Sequence, residues 1–366
     1  MVDHIRLRPG LHPIARLVFL LLLLYIFFVS ISLLSDSFKF FGKDFAGRLL
    51  ETTSNPFVAL FIGILATSLV QSSSTVTSMT VGLVAGGALH ISHAIPIVIG
   101  SNIGTSVTNT LVSIGHIGRR DEFRRAFAAA TVHDFFNLIS VIIIFPLQIT
   151  TNFLGRSSQF MADVLYEAGG LKFFNPLKAI VSPSVKLITK LTSESGILML
   201  IIAAALLFLA LRYIVVNLKA LVIGKIESFF NKTLFKNTAT ALIVGLFITV
   251  IVQSSSITTS LAVPLVGAGI LTLRQIFPYT LGANVGTTIT AMLAALVTNN
   301  LAAVTVAFAH FLFNVFGIIF IWPIKFLPIY FAETLSRWSL KSKMIPLLYI
   351  ASVFFVIPII LIFIVR

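Results

Sequence analysis

The chain has 366 residues, of which 57% are hydrophobic and only 10% are charged, and its mean hydropathy is +1.04. Soluble globular proteins carry about 25% charged residues, so this composition excludes a soluble multidomain protein and predicts a polytopic membrane protein. The absence of cysteine excludes disulfides and thiolate sites, and the net charge of +14 does not indicate nucleic-acid binding, because the basic residues lie in short segments between apolar stretches.

The first predicted element is a membrane-spanning helix over residues 14–34. Its apolar run is too long for the core of a cleaved signal peptide, so we expect the helix to be retained. Residues 38–50 are amphipathic, which is typical of a segment that lies in the membrane interface. The Arg-rich start of the chain predicts a cytoplasmic N-terminus.

Four apolar segments follow, and residues 52–118 contain no Asp, Glu, Lys or Arg. Residues 56–89 form two arms joined at a polar run over residues 71–74. Membrane spans are predicted over residues 95–114 and 126–149.

The chain contains two copies of one unit. A shift of 182 residues aligns residues 63–110 with 245–292 without a gap, and about 20 positions are identical. The predicted organisation is a first repeat over 1–149, an extracytoplasmic linker over 150–195, a second repeat over 196–331 and a C-terminal transmembrane helix over 332–366.

The number of crossings in each unit predicts how the two copies are related. If the two-armed segment is a re-entrant hairpin, it leaves the membrane on the side where it entered, and each unit crosses three times. The second copy then starts from the opposite face, so the expected fold is an all-α membrane protein with two inverted-topology repeats, a layout of many secondary transporters. The basic residues of 150–195 fit this topology less well than those of the other loops.

Two matched polar runs interrupt the apolar arms: Gln71-Ser72-Ser73-Ser74 and Gln253-Ser254-Ser255-Ser256. A single such run is compatible with Ser packing between helices. Two runs at matched positions favour broken helices, whose N-termini suit an anion and whose free oxygens suit a hard cation such as Na⁺.

A second matched pair of motifs is Gly-x-Asn-x-Gly-Thr, with Asn102 and Thr105 in the first copy and Asn284 and Thr287 in the second. The two glycines are compatible with a close helix-packing face. The Asn and Thr side chains favour a kinked helix that supplies oxygens to the same cavity. No Lys or Arg lies in these four polar segments, so a bound anion would rely on hydroxyls, helix N-termini and co-bound cations.

Asp134 is the only acidic residue in the span over 126–149, and the matching position in the second copy is Phe311. A charge at this depth is costly and usually functional, so a single cation site near Asp134 is expected. The alternative is a structural pairing with His133 or Arg124. Asn137 and Asn314, which follow the paired histidines, are expected to line a cavity or to bond neighbouring helices.

These motifs resemble the type II sodium–phosphate cotransporter family, of which we expect a bacterial member. The resemblance covers both repeats and rests on five segments. They are Leu69-Val-Gln-Ser-Ser-Ser-Thr75, Val252-Gln-Ser-Ser-Ser-Ile257, the stretch 94–110, the stretch 123–134 and Ala307-Phe-Ala-His-Phe-Leu-Phe-Asn314.

The resemblance implies an inward symporter of Na⁺ and inorganic phosphate that works by alternating access, is not an enzyme and has no cofactor besides the coupling ion. Because members with an acid at the Asp134 position are electrogenic, it also implies net charge movement. The phosphate site is expected at Gln71, Ser72, Ser73, Ser74, Gln253, Ser254, Ser255, Ser256, Asn102 and Asn284. The sodium sites are expected at Asp134, Gln71, Ser73, Thr105, Gln253, Ser255 and Thr287.

The chain also departs from the animal members of the family, because residues 150–195 are short and lack cysteine. We expect a multi-pass protein of the bacterial inner membrane, surrounded by lipid and compatible with a homodimer. A symporter of another oxyanion, such as sulfate or arsenate, is the nearest competing function. An ion channel built on re-entrant hairpins is the competitor of another class, and an intramembrane serine hydrolase is a third.

Overall fold

The computed structural model describes residues 13–40, 47, 51, 53–168, 175–229 and 237–365, so most of the interfacial stretch expected over 38–50 lies outside the described residues. Within these ranges every regular element is helical, which confirms an all-α polytopic membrane protein. Among the described residues, seven helical segments are long and apolar enough to cross a membrane: Ile14–Phe38, Ile91–Ile114, Arg120–Thr151, Gly196–Asn217, Leu273–Thr298, Leu301–Ile324 and Met344–Val365.

The first half of the chain forms eight helices over the described residues. They are α1 (Pro13–Lys39), α2 (Pro56–Val70), α3 (Ser73–Ala85), α4 (Ile91–Thr105), α5 (Val107–Ile114), α6 (Arg120–Thr151), α7 (Phe153–Glu167) and α8 (Asn175–Leu191).

The second half repeats much of this order and then adds a C-terminal extension. Its helices are α9 (Gly196–Phe229), α10 (Thr238–Val252), α11 (Ser255–Gly267), α12 (Leu273–Thr298), α13 (Leu301–Ile321), α14 (Phe326–Ser339), α15 (Met344–Ala351) and α16 (Ile357–Val365). A 3₁₀ turn, Trp322–Ile324, precedes α14, and a π-helical turn, Ser352–Val356, joins α15 to α16.

Helices α2 and α3 form the first helix pair, and α10 and α11 form the second. The bounds of the second pair are those of the first shifted by 182 residues. The side chains that cap the start of each pair also repeat. Asn55 Oδ1 accepts a hydrogen bond from Phe57 N at 2.9 Å, and Asn237 Oδ1 accepts one from Ala239 N at 3.0 Å. Each side chain satisfies a backbone N–H that the first turn leaves without a partner.

Glycines in α4 and α12 let these helices pack directly on the backbone of α2 and α10, the first helix of each pair. A Cβ atom on Gly100 would collide with the carbonyl oxygen of Leu60, and one on Gly282 would collide with that of Leu242. One turn later, Gly104 and Gly286 approach the next carbonyls of α2 and α10, where a Cβ would lie 2.6 Å from the oxygen in both copies. The paired glycines therefore form a helix-packing face.

Of the two Gly-x-Asn-x-Gly-Thr helices, which were both expected to be kinked, only that of the first copy is interrupted. There the helix breaks at Ser106, whose N–H bonds to Ile103 O, and the Asn102 carbonyl accepts a hydrogen bond from Asn137 Nδ2 at 2.8 Å instead. In the second copy α12 runs without interruption through Thr288, the residue that matches Ser106. The second helix therefore has no break at the matching position, and no side chain in the described residues captures the corresponding carbonyl; it carries Pro278 one turn before the first glycine of its motif.

Other elements differ from the sequence-based expectations in extent. The first span, expected over 14–34, continues to Lys39. The segment 150–195, expected as a linker, is largely helical, because it contains α7 and α8. Helix α7 packs on α13, and α8 packs on α1. The expected boundary at residue 331 falls inside α14.

The helix pairs pack crosswise in the centre of the molecule. Helix α3 contacts α12 and α13 of the second copy, and α11 contacts α5 and α6 of the first. The polar runs therefore lie against helices of both copies.

Candidate functional site

The turn within each helix pair is only two residues long. Gln71 and Gln253 adopt the left-handed conformation, with φ of 56° and 57°, and end α2 and α10. Ser72 and Ser254 are extended, and their Oγ atoms accept hydrogen bonds from Thr75 N at 3.2 Å and Ile257 N at 3.4 Å. The joint expected over residues 71–74 is thus shorter than predicted, because each second Ser caps a new helix.

The last two serines of each polar run lie in the first turn of a helix. Ser73 and Ser74 begin α3, Ser255 and Ser256 begin α11, and all four are buried. A helix N-terminus has backbone N–H groups without intrahelical partners and a partial positive charge. Both polar runs thus have the donors that an anion requires, within an apolar segment that carries no basic residue.

The glutamines that end the first helix of each pair differ in their contacts. Gln253 Oε1 accepts a hydrogen bond from Thr290 Oγ1 at 2.6 Å, and its Nε2 bonds to Val250 O. The matching Gln71 is exposed, and the Oγ1 of Thr108, which corresponds to Thr290, is buried without a partner.

Asp134 is fully buried in α6. Its Oδ2 accepts hydrogen bonds from Thr110 Oγ1 at 3.2 Å and from Tyr349 OH at 2.9 Å, whereas its Oδ1 has no hydrogen-bond partner among the described residues. Within the described part of the chain, Asp134 forms no ion pair with His133 or Arg124. The structural pairings considered for this acid are therefore absent, and one carboxylate oxygen is free to bind a further group.

Six amide and imidazole side chains, all buried, form an amide network between the two copies. His133 Nε2 donates to Asn284 Oδ1 at 2.6 Å, and Asn284 Nδ2 donates to Asn137 Oδ1 at 2.8 Å. The reciprocal contacts converge on Asn102 Oδ1, which accepts hydrogen bonds from His310 Nε2 at 3.3 Å and Asn314 Nδ2 at 3.1 Å. Asn137 and Asn314 therefore bond neighbouring helices, one of the two roles expected for them.

Asn102 and Asn284, which were expected to bind phosphate, are thus engaged by the opposite copy. The hydroxyls of Thr105 and Thr287 donate to carbonyls in their own helices, at 2.9 and 3.2 Å. Their oxygens keep lone pairs, but the structure gives them no direct contact with Asp134. Ser256 Oγ joins the second pair to the break in the first copy, since it donates to Thr105 O at 3.3 Å.

Asn109 was not identified from the sequence, although it contacts three side chains of the site. Its Oδ1 accepts hydrogen bonds from Thr259 Oγ1 at 2.9 Å and Ser260 Oγ at 2.8 Å, and its Nδ2 lies 3.4 Å from His133 Nδ1. The matching residue in the second copy is Ala291. Correspondingly, Ser78 Oγ and His310 Nδ1 are buried without hydrogen-bond partners in the part of the chain that the structure describes.

Thr110 and Tyr349 were also missed. Thr110 follows Ser106 by four residues, so the two share a helix face, which was a usable signal. Tyr349 has the only phenol in the span Met344–Val365, and its ring packs against Phe127, Phe135 and Phe354.

The oxygen atoms near Asp134 suit a hard cation better than a transition metal. Among the described residues, no group of three or more His, Asp or Glu side chains could hold a metal ion. Carboxylate, hydroxyl and carbonyl oxygens are the ligands available here, and such oxygens suit hard cations.

Comparisons with known proteins agree with one another. The family model described as Na+/Pi-cotransporter matches residues 26–173 and 206–321. Sodium-dependent phosphate transport protein 2B of Pongo abelii and that of Homo sapiens are each 34% identical over 444 residues, which cover 94% of this chain and 64% of theirs. Sodium-dependent phosphate transport protein 2A of Ovis aries is 33% identical over 435 residues, 96% of this chain and 68% of its own. The chain thus spans 64% of the length of the 2B relatives. No solved structure matches it at a significant level.

Proposed function

The chain belongs to the Na+/Pi-cotransporter family, and on that premise we propose that it couples the inward movement of Na⁺ to the uptake of inorganic phosphate. The observation that carries this proposal is the pair of buried, serine-capped helix N-termini, repeated 182 residues apart in segments without a basic side chain. An anion held by N–H groups and hydroxyls alone keeps its charge, so a co-bound cation lowers the cost of bringing it into the membrane.

In this proposal, phosphate binds between the two helix pairs. Ser72 and Ser254 cap the helices, and the backbone N–H groups of Ser73, Ser74, Ser255 and Ser256 face the anion, while Gln71 and Gln253 shape the site. Because these serines are largely buried, phosphate reaches them only when the helices that cover them move. Asn102 and Asn284 contribute by holding the two copies in register.

We propose a sodium site at Asp134. Its support is the partnerless Oδ1 of a fully buried carboxylate, beside the break at Ser106 and the hydroxyl of Thr110. A buried carboxylate favours a cation partner because an isolated charge is costly in a membrane. The remaining sodium ligands proposed from the sequence are Gln71, Ser73 and Thr105, with Gln253, Ser255 and Thr287 in the second copy. Asp134 has no acidic counterpart there, and its resemblance to the electrogenic members of the family, which have an acid at this position, leads us to infer electrogenic transport.

The proposed transport cycle is alternating access between two inverted repeats with re-entrant helix pairs. It is supported by the repeated helix bounds and by the crosswise packing of each pair on the other copy. The basic segments at 6–16 and 119–125 support a cytoplasmic N-terminus in a bacterial inner membrane. A homodimer is compatible with this arrangement.

The decisive experiment is uptake of radiolabelled phosphate into proteoliposomes under equal gradients of Na⁺ or K⁺, with the membrane voltage set by a potassium ionophore. We expect uptake only with an inward Na⁺ gradient, and faster uptake at inside-negative voltage. Protein-free liposomes and labelled sulfate are the controls. Sulfate uptake without phosphate uptake would favour another oxyanion, and conductance without Na⁺-coupled uptake would favour a channel. Na⁺-driven uptake whose rate does not change with membrane voltage would refute electrogenic transport and leave Na⁺–phosphate coupling in place.

A further inference from the structure

A basic cavity lies where α6 begins, at the opposite end of α11 from the second polar run. It has a volume of about 370 Å³ and is bordered by α6, by α14 and by the turn between α11 and α12. Helix α11 separates it from Ser255 by about 18 Å, at 1.5 Å per residue. Its polar lining consists of Arg124, Arg125, Arg337, Glu333, Thr272 and Ser336.

The three arginines of this cavity lack anionic partners. In the part of the chain that the structure describes, ion pairs are made by Glu122 with Arg119 and His116, and by none of the three arginines. Glu333 is exposed and is the only acid that lines the cavity, so the lining has a net charge of +2. Three guanidinium groups around one space repel one another, and a bound anion relieves that repulsion.

The individual contacts leave guanidinium nitrogens free. Arg125 Nε donates to Gly267 O at 2.8 Å, which anchors the side chain at the C-terminal end of α11, and its two terminal nitrogens have no hydrogen-bond partner among the described residues. Arg337 Nη2 donates to Thr334 Oγ1 at 3.2 Å. Arg124 Nε is buried and has no partner within the same ranges. A planar guanidinium presents paired N–H donors that match two phosphate oxygens.

The turn beside the arginines contains Gly269, with φ of +77°. A Cβ atom there would lie within 3.9 Å of the Arg125 guanidinium. The matching turn of the first copy also has a glycine with positive φ, Gly87, but nothing lies within 4 Å of its Cβ position. The turn of the second copy therefore lies against an arginine, whereas the described residues place none within 4 Å of the matching position in the first copy.

The surroundings of the cavity are typical of the membrane–water interface. A neighbouring cavity shares Glu333 and is lined by Trp322, Tyr330 and Lys325. The Lys325 ammonium lies 4.3 Å from the centroid of the Trp322 ring. Trp and Tyr are enriched at the level of the lipid head groups, and basic pockets between membrane helices bind anionic head groups.

We propose that Arg124, Arg125 and Arg337 bind a phosphate group at the membrane surface, carried by an anionic phospholipid or by free phosphate. The site is separate from the proposed transport site and does not depend on it. In either source the ligand is a phosphate oxyanion without a basic amine, which the three arginines hold by charge-assisted hydrogen bonds.

The test uses the full-length protein in detergent, with K⁺ as the only monovalent cation so that Na⁺-coupled binding is absent. Thermal unfolding and native mass spectrometry are recorded with phosphatidylglycerol, with phosphatidylcholine, or with inorganic phosphate and no lipid. The triple variant Arg124→Gln, Arg125→Gln, Arg337→Gln is compared with a charge-matched control, Arg16→Gln, Arg156→Gln, Arg212→Gln. A second triple variant, with Lys at the three cavity positions, keeps the charge.

We expect phosphatidylglycerol to bind and stabilise the wild type and the charge-matched control, and to bind the Gln variant about a hundredfold more weakly, since each basic residue near the surface contributes several-fold. The Lys variant should retain an intermediate affinity. Stabilisation by inorganic phosphate alone, lost in the Gln variant, would assign the site to free phosphate. Equal phosphatidylglycerol binding by the Gln variant and the control, with no effect of inorganic phosphate, would overturn the proposal, as would no binding to the wild type.

Discussion

The two helix pairs have the same backbone but different surroundings. In the second pair, Thr259 and Ser260 bond to Asn109 of the first copy. In the first pair the corresponding acceptor is missing, because Ala291 takes the place of Asn109, and Ser78 Oγ has no partner. The repeated residues thus determine the shape of each pair, and a single unrepeated residue, Asn109, adds two hydrogen bonds between the second pair and the opposite copy.

The same contrast extends to the proposed ion site. Asp134 and the break at Ser106 occur in the first copy, whereas Phe311 and an uninterrupted α12 occur in the second. The first copy therefore contains both the buried acid and the helix pair whose Ser78 lacks the asparagine acceptor of its counterpart.

The largest expected effect comes from the close helix packing at glycine that both copies share. Replacing Gly100 or Gly282 by Ala places a methyl group against a backbone oxygen, which side-chain rotation does not relieve. We expect each variant to lose about 3 kcal/mol of stability, the upper end of the usual cost of overpacking, and to give little folded protein. Thermal unfolding in detergent measures this, with Gly118→Ala as the control, since nothing lies within 4 Å of that Cβ position. Near-wild-type unfolding temperatures would contradict the close packing of α2 on α4 and of α10 on α12.

The next effect tests whether the shared turns share a function. Ser72→Ala and Ser254→Ala each remove one helix cap, at a cost of about 1 kcal/mol, and one hydroxyl of the proposed phosphate site. We expect folded protein in both cases and loss of phosphate binding, measured by uptake in proteoliposomes and by isothermal titration. Full uptake by both variants would exclude a phosphate site at the turns.

The acid that only the first copy contains should control the coupling. We expect Asp134→Gly to transport phosphate weakly, with fewer coupled Na⁺ ions and a reduced current, because a ligand with one free oxygen is lost. Tyr349→Phe keeps the carboxylate and removes one donor from Oδ2, so its current should persist with a several-fold shift in the Na⁺ concentration for half-maximal uptake. Unchanged Na⁺ dependence and unchanged current in Asp134→Gly would eliminate the proposed site.

The smallest effect concerns the residue that distinguishes the two pairs. Asn109→Ala leaves the half-buried Ser260 without its acceptor, at about 0.5 kcal/mol, the lower end for one hydrogen bond, and makes the second pair resemble the first. Ala291→Asn offers the missing acceptor to Ser78. Because the chain has no cysteine, single cysteines at Met79 and Leu261, which are matched positions, report on each pair by their rate of maleimide labelling.

We expect labelling at residue 261 to accelerate several-fold in Asn109→Ala, and labelling at residue 79 to slow in Ala291→Asn. Labelling rates that do not respond to either change would show that this asparagine does not restrain the pairs.

Much of this architecture follows from the sequence, because its signals are local. The polar runs at Gln71 and Gln253 interrupt long apolar arms, and the helices break there. Asp134 is the single acid of its span and is buried. What could not be predicted depends on contacts between distant segments: Tyr349 reaches Asp134 from 215 residues away, and the importance of Asn109 appears only once α11 is packed against α5.

The break in the first of the two Gly-x-Asn-x-Gly-Thr helices likewise could not be predicted from the sequence. The two Gly-x-Asn-x-Gly-Thr motifs are alike, yet only one helix breaks, because Asn137 captures the Asn102 carbonyl in the first copy. Its counterpart Asn314 donates to His310 O and to Asn102 Oδ1 instead. The outcome thus depends on which acceptor a neighbouring helix presents.

The amide network has a mechanical consequence. Its hydrogen bonds run in both directions between the copies and are buried among membrane helices. Drawing the copies apart at this point would strand several amides and two imidazoles where lipid offers no substitute donors or acceptors. A rotation about the same point moves the outer ends of the helices by the largest amount and these atoms by the smallest. A rotation of one copy against the other that preserved these hydrogen bonds would therefore be centred near Asn102 and Asn284.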